Sequence, residues 1–491
     1  MIWKRAGLWR IKDISPMNLF SRILPGFRKP GGLFQVLNIA TPLILAAAGH
    51  AMNLFFDRVM LAKYSREAVN AALPSGLTSF TISCFFVGVI GYANSFVAQY
   101  TGAEAEHRVG PSIWQAFWLS VIGGVLLATG YFWAEPMFRL MGHSESVQEQ
   151  EVIYFQILSV GAFIPLMQGA FSAFWAGRGK TMFVMINNFV VTGLNIPLNY
   201  ALIFGNWGSP EMGIAGAAIG TILAALAGLI LYMIFFFLRR ERVRYATWPP
   251  VFDRELFTRM LRFGTPSGVQ LFLDLLAFNI FVIMLGWVGS TEEEKLVTQE
   301  ASTIALSINS ISFTPMIGLG QAVGVLVGQG VGAGKIADAC RAVRTSRTLT
   351  LLYTGCMALL FFFYPDPLIN LFARSGDAGQ AETMEVVRLF MRFIAAFTMF
   401  DATVIVFSGA IKGAGDTKFA MYANVGLAFA LCVLPCIVAW KMQWSATAYW
   451  IILDIYITTC AMVFVLRYIQ GKWKKMHVIE DEYAKQTVEG E

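Results

Sequence analysis

The chain has 491 residues, 56% of them hydrophobic and only 14% charged, against about 25% charged in ordinary soluble domains. A globular core cannot hide that much apolar surface in a chain of this length, whereas a bilayer accepts it. The net charge of +6 comes from 37 Lys and Arg against 31 Asp and Glu. The bases cluster between apolar runs, which points to membrane orientation and away from nucleic acid.

Residues 1–32 form a basic N-terminal segment (Lys4, Arg5, Arg10, Lys12, Arg22, Arg28, Lys29) without the compact apolar stretch of a cleavable signal. It is expected in the cytoplasm, either on the membrane surface or without fixed structure. Twelve apolar runs of spanning length follow, near 34–57, 75–101, 112–133, 152–176, 182–204, 213–238, 259–288, 298–331, 346–365, 383–411, 418–440 and 444–468. They divide the chain into an N-lobe (33–240, spans 1–6), a cytoplasmic linker (241–258), a C-lobe (259–470, spans 7–12) and a cytoplasmic tail (471–491). Of the 37 Lys and Arg, 28 fall in the two terminal segments, the even-numbered loops and the helix ends that adjoin them, which puts both ends in the cytoplasm. An even number of spans requires the same result.

The halves carry matching signatures in the same order. Thr41-Pro42 of the first span is answered by Thr265-Pro266 near the start of the seventh. Gly88, Gln99, Gly102 and Ala103 are answered at identical spacing by Gly318, Gln329, Gly332 and Ala333. Gly177-Arg-Gly179-Lys-Thr181 is answered by Gly413-Ala-Gly415-Asp-Thr417. The register between the halves drifts only slowly along the chain, as small loop insertions would cause. Two six-helix copies of like orientation form a parallel repeat, the build of some secondary transporters. The expected fold is therefore an all-α membrane protein of about twelve transmembrane helices, two six-helix lobes around a central cleft.

Enzyme signatures fail. Gly179-Lys180-Thr181 lacks the earlier glycine of a phosphate loop, because position 174 is Phe. The glycine run from Gly328 to Gly334 ends a span instead of following a strand, so it reads as close helix packing. His50, His107, His143 and His477 are scattered without zinc spacing. The six cysteines read as small hydrophobes without a disulfide framework. No enzyme and no cofactor are expected.

Ionisable groups inside spans are costly and are functional candidates by default. On the first span His50, Asn53 and Asp57 share a helix face, and Asn188, Thr192, Asn195 and Asn199 form a stripe on the fifth. Depth puts Asp57, Asn195 and Asn199 in the outer half, within reach of one another. In the second half Gln270 precedes Asp274 by one turn, and Thr398 precedes Asp401. Asp274 and Asp401 lie nearer mid-span and are expected to form a second acidic site. Asp454 has no counterpart in the first half. A carboxylate in low dielectric is neutralised by a proton or a paired cation, and Asp with amide oxygens suits sodium.

These residues resemble the multidrug and toxic compound extrusion (MATE) transporters over roughly 34–470. The markers are Phe56-Asp57-Arg58-Val59-Met60, Gln99-Tyr-Thr-Gly-Ala103, Asn195-Ile-Pro-Leu-Asn199-Tyr, Pro266-Ser-Gly-Val-Gln270 with Asp274, Gly328-Gln329, and Asp401 before Gly409-Ala-Ile-Lys-Gly413. The resemblance implies a two-lobe antiporter, acting as a monomer in the cell membrane, that expels cationic amphiphilic compounds against a proton or sodium gradient. It assigns Asp57 as the N-lobe acid beside Asn195 and Asn199, and Asp274 and Asp401 as a C-lobe cation site able to take sodium. The chain departs from the pattern at Asn199, where some relatives carry Asp, at Asp274, where the sodium branch carries Glu, and at Phe397, near which that branch often has Tyr. Arg58 stands where Thr is usual. The rival within the superfamily is a flippase for lipid-linked precursors, whose cleft is cationic; here the cleft candidates are acids and amides.

Overall fold

The structure, a computed structural model, describes residues 29–141, 143–289, 291–372 and 380–484. Residues 1–28 of the basic N-terminal segment and residues 485–491 of the tail lie outside them. The N-lobe comprises α1 (Leu33–Tyr64), α2 (Arg66–Gly91), α3 (Ala93–Gly102), α4 (Val109–Ala128), α5 (Gly130–Arg139), α6 (Glu145–Gly161), α7 (Phe163–Ala176), α8 (Thr181–Phe204) and α9 (Gly213–Phe236). The short α10 (Arg239–Tyr245) leads to the C-lobe: α11 (Arg254–Leu285), α12 (Glu292–Gly332), α13 (Ile336–Phe363), α14 (Asp366–Ile369), α15 (Gln380–Ala414), α16 (Thr417–Ala428), α17 (Leu434–Lys441) and α18 (Ala446–Gln470).

Helix is the form these apolar runs must take, because lipid offers no partner for unpaired backbone groups. Polar side chains set the starts. Ser65, Asp253 and Thr291 each accept a backbone N–H of the turn they open, at α2, α11 and α12. Among the described residues, eleven helical stretches are long and apolar enough to cross a membrane (α2 with α3 counting as one), and α6 with α7 brings the number to twelve if that pair is one span. This fourth run, expected as one span, bends by 43° between Gly161 and Phe163. The protein is an all-α membrane protein.

The sequence repeat reappears as paired contacts between the lobes. A Cβ on Gly102 would stand 2.0 Å from the Gln329 carbonyl oxygen, and one on Gly332 the same 2.0 Å from the Gln99 carbonyl oxygen. Gly88 of α2 lies against Gly268 of α11, while Gly318 of α12 lies against Ile44 of α1. Each contact maps onto its fellow through the register that pairs Pro42 with Pro266 and Gln99 with Gln329. Only glycine lets backbones approach this closely, so these positions fix the lobe interface. All four contacts sit in the half of each span nearer the face that carries both described chain ends, called here the terminal face.

That face is also held by polar bonds. Gln99 donates from Nε2 to the carbonyls of Gly413 (3.0 Å) and Ala414 (3.3 Å), and its counterpart Gln329 donates to Gly177 O at 2.8 Å. Arg178 of the N-lobe pairs with buried Glu241 of α10 at 2.7 Å and stacks on Phe174 at 3.6 Å. Within the C-lobe, Arg467 pairs with Asp416 at 2.7 Å and stacks on Phe419 at 4.3 Å.

Candidate functional site

Two polar clusters interrupt the apolar interior, one in each lobe. In the N-lobe, α1 supplies Asp57, which is 8% exposed, and α8 supplies Asn195 and Asn199, both fully buried. The two asparagines are one turn apart and so share a face. Asn199 donates from Nδ2 to Asp57 Oδ1 at 2.5 Å and to Asn195 Oδ1 at 3.2 Å. Asn195 in turn donates to the Thr221 hydroxyl of α9 at 3.3 Å. The Asn199 amide hydrogens are thereby used, while Asn199 Oδ1 and Asn53 Oδ1 have no hydrogen-bond partner among the described residues. The cluster carries more acceptors than donors.

α9 makes room for this network. A Cβ on Gly220 would fall 2.0 Å from Asn199 Oδ1. Pro197, between the two asparagines, removes one helical N–H at the same level.

The remaining N-lobe candidates scatter. Thr192 donates to Gly49 O of α1 at 3.2 Å, which ties α8 to α1. Asn188, expected in the same stripe, turns back to Val184 O of its own helix at 3.0 Å and stays outside the network. His50 is exposed. Arg58 is exposed too, and no ion pair joins it to Asp57 among the described residues.

In the C-lobe, Asp274 of α11 accepts from Asn424 of α16 at 2.7 Å through Oδ2. Cys460 of α18 approaches Asn424 Oδ1 at 3.7 Å. Asp274 Oδ1, Gln270 Oε1 and Asp454 Oδ1 have no hydrogen-bond partner among the described residues. Here too the surplus is of acceptors.

Asp274 and Asp401, expected to form a second acidic site, share no hydrogen-bond partner among the described residues. Asp274 meets an amide instead, and no hydrogen bond or ion pair of Asp401 occurs among the described residues. Thr398, one turn before it, donates to Ile394 O of its own helix at 2.5 Å. A second carboxylate beside Asp274 would repel it in low dielectric, whereas an amide N–H stabilises it.

Asn424 and Thr221 were missed by sequence reasoning. A signal for Asn424 did exist: the register that pairs Gly177 with Gly413 also pairs Asn188 with Asn424. The repeat marked the position, and the structure uses it in the C-lobe only.

Among the described residues no group of three or more His, Cys, Asp or Glu side chains converges. The N-lobe cluster is one carboxylate with neutral oxygens around it; in the C-lobe the Lys412 ammonium also acts on Asp274. That donor set fits a proton or a hard monovalent cation better than a transition metal, which selects imidazole and thiolate.

Both lobes also match known proteins. The MatE family model matches residues 42–201 and 266–438, one segment in each lobe. A probable multidrug resistance protein NorM of Thermotoga maritima is 25% identical over 478 residues, covering 96% of this chain and 99% of that protein. The multidrug resistance protein PmpM of Pseudomonas aeruginosa is 25% identical over 416 residues, covering 82% of this chain and 84% of its own. Among solved structures, an outward-facing multidrug resistance MATE family transporter of the MOP superfamily superposes with a TM-score of 0.81 at 18% identity, over 92% of this chain and 99% of that one. The chain is a membrane transporter, not an enzyme, and it belongs to the MatE family.

Proposed function

We propose that this protein is a secondary antiporter of the cell membrane that exports cationic, amphiphilic organic compounds in exchange for protons or sodium ions. The observation that carries the reading is the surplus of acceptor oxygens around Asp57 in one lobe and Asp274 in the other. A buried carboxylate with unpaired oxygens beside it is stabilised by taking up a proton or a cation. Uptake in one orientation and release in the other ties the ion to the direction of the cleft, which is the physical basis of exchange. The names of the curated relatives support drug export, since NorM and PmpM are multidrug resistance proteins.

The terminal face is cytoplasmic in this reading, because the loops on that side hold most of the Lys and Arg. The two lobes pack together there and rock apart to admit cargo from the cytoplasm. Asp57, Asn195 and Asn199 bind the coupling ion in the N-lobe; Asp274 binds it in the C-lobe, and Asp401 is the second acid of that lobe's site. The chain works as a monomer in lipid.

The test is efflux of ethidium from proteoliposomes under a pH gradient or a sodium gradient, imposed separately. Export driven by one gradient supports the antiporter and identifies its ion. Absence of export under both overturns it.

A further inference from the structure

The tail of the chain crosses from one lobe to the other, which the repeat does not require. It leaves α18 at Gly471 and anchors first on its own lobe. Trp473 is fully buried, stacks on Tyr468 with ring centroids 5.1 Å apart, and donates its indole N–H to Tyr468 O at 3.1 Å. The following residues reach the N-lobe. The Val478 N–H donates to Gln99 Oε1 at 2.8 Å, Ile479 O accepts from Arg259 of α11 at 3.3 Å, and the Val478 and Ile479 side chains are completely buried in a cluster made mostly of N-lobe residues, with Leu319, Leu326 and Ala342 of the C-lobe.

Glu480 is the polar lock. It accepts from the Tyr100 hydroxyl at 2.6 Å and from Arg108 Nη2 at 2.6 Å, and the residue is 8% exposed. Arg108 also pairs with Asp253 of the inter-lobe linker at 3.1 Å. Both chain crossings between the lobes therefore converge on one arginine. Gln99 lies at the same junction: its Nε2 holds the C-lobe carbonyls of Gly413 and Ala414 while its Oε1 holds the tail.

We infer that residues 478–480 are a latch, and that Gln99, Tyr100 and Arg108 of the N-lobe are its docking site. The latch holds the lobes together on the cytoplasmic face and must undock before that face opens. The inference rests on the alternating-access reading above. Separation of the lobes there withdraws two buried apolar side chains and breaks a buried charge-assisted pair. The tail thus sets the balance between the two orientations of the cleft. An ordinary surface tail would leave that balance untouched.

Distances between spin labels test this without cargo or gradient. Cys340 and Cys356, the two cysteines that are not buried, are replaced by Ser. One label pair spans the cytoplasmic face (Val243→Cys with Lys335→Cys), and a second spans the far face (Leu140→Cys with Met442→Cys). Glu480→Ala, or truncation after Met476, is expected to raise the ratio of open to closed cytoplasmic distances by about tenfold or more, the effect of losing one charged hydrogen bond. The far-face distance shortens in step, and Glu480→Asp restores part of the closed population.

Unchanged distances in both variants overturn the latch. So does a wider cytoplasmic distance with no change on the far face, which is a local fraying of the tail. Because no transport is measured, failure here leaves the antiporter reading standing, and a chain that exports nothing can still display the latch.

Discussion

The two lobes share one fold but place their acids at different depths. In the register that pairs Pro42 with Pro266, Asp274 of the C-lobe corresponds to His50 of the N-lobe, while Asp57 corresponds to Phe281. The C-lobe acid is thus about two helical turns nearer the terminal face than its N-lobe relative, roughly 10 Å at the rise of an α-helix. The amide partner shifts too. In the N-lobe it comes from the far end of α8 (Asn199), and in the C-lobe from the near half of the span Thr417–Lys441 that α16 begins (Asn424). A duplicated scaffold preserves helix packing because packing involves every glycine contact between the lobes. It leaves single polar residues free to move, because each needs only one neighbouring partner.

The difference can be broken or sharpened by mutation, beginning with the acids. Asp57→Asn and Asp274→Asn are each expected to lower gradient-driven efflux of ethidium by about tenfold to a hundredfold, with normal amounts of protein in the membrane. If either variant exports at the parental rate, that lobe holds no coupling site and the comparison reduces to one of structure alone.

Next are the glycines. Gly220→Ala drives a methyl group into Asn199 and is expected to destabilise the protein by about 1–3 kcal/mol while impairing efflux. Gly193→Ala, one face away on α8, meets nothing within 4 Å and is expected to be silent in both. Thermal unfolding in detergent together with the efflux assay reads both; equal effects at the two positions would remove Gly220 from the site.

The asparagines related by the repeat give a smaller effect. Asn424→Ala removes the amide that holds Asp274 and is expected to slow efflux severalfold, while Asn188→Ala, bonded only to its own helix, has little effect. Equal losses at both positions would mean that the lobes use this position alike.

The least effect is expected from pH at the latch. Burial pushes the Glu480 carboxyl up, but the Tyr100 hydroxyl and the Arg108 guanidinium more than offset this and hold it below its ordinary 4.5. A lowered pKa means that the docked state is favoured above the ordinary value and loses that contribution only as pH falls through the lowered one. The label distances across the terminal face are therefore expected to stay constant from about pH 8 down to about pH 5. A shift within that range would assign control of the tail to another group.

The sequence alone determined the membrane class, the number of spans, the two-lobe repeat and the N-lobe acid with its asparagines. These follow from periodicity, span length and spacing along single helices, which are local properties of the chain. Tertiary structure decided the rest. It bent the fourth span, turned Asn188 back onto its own helix, gave Asp274 the Asn424 amide as a partner, and carried the tail across to Arg108 and Tyr100. Each of these depends on which side chains from distant segments arrive at one point. Helical spacing fixes the face a residue occupies, but the neighbour it meets there is set only when the lobes have packed.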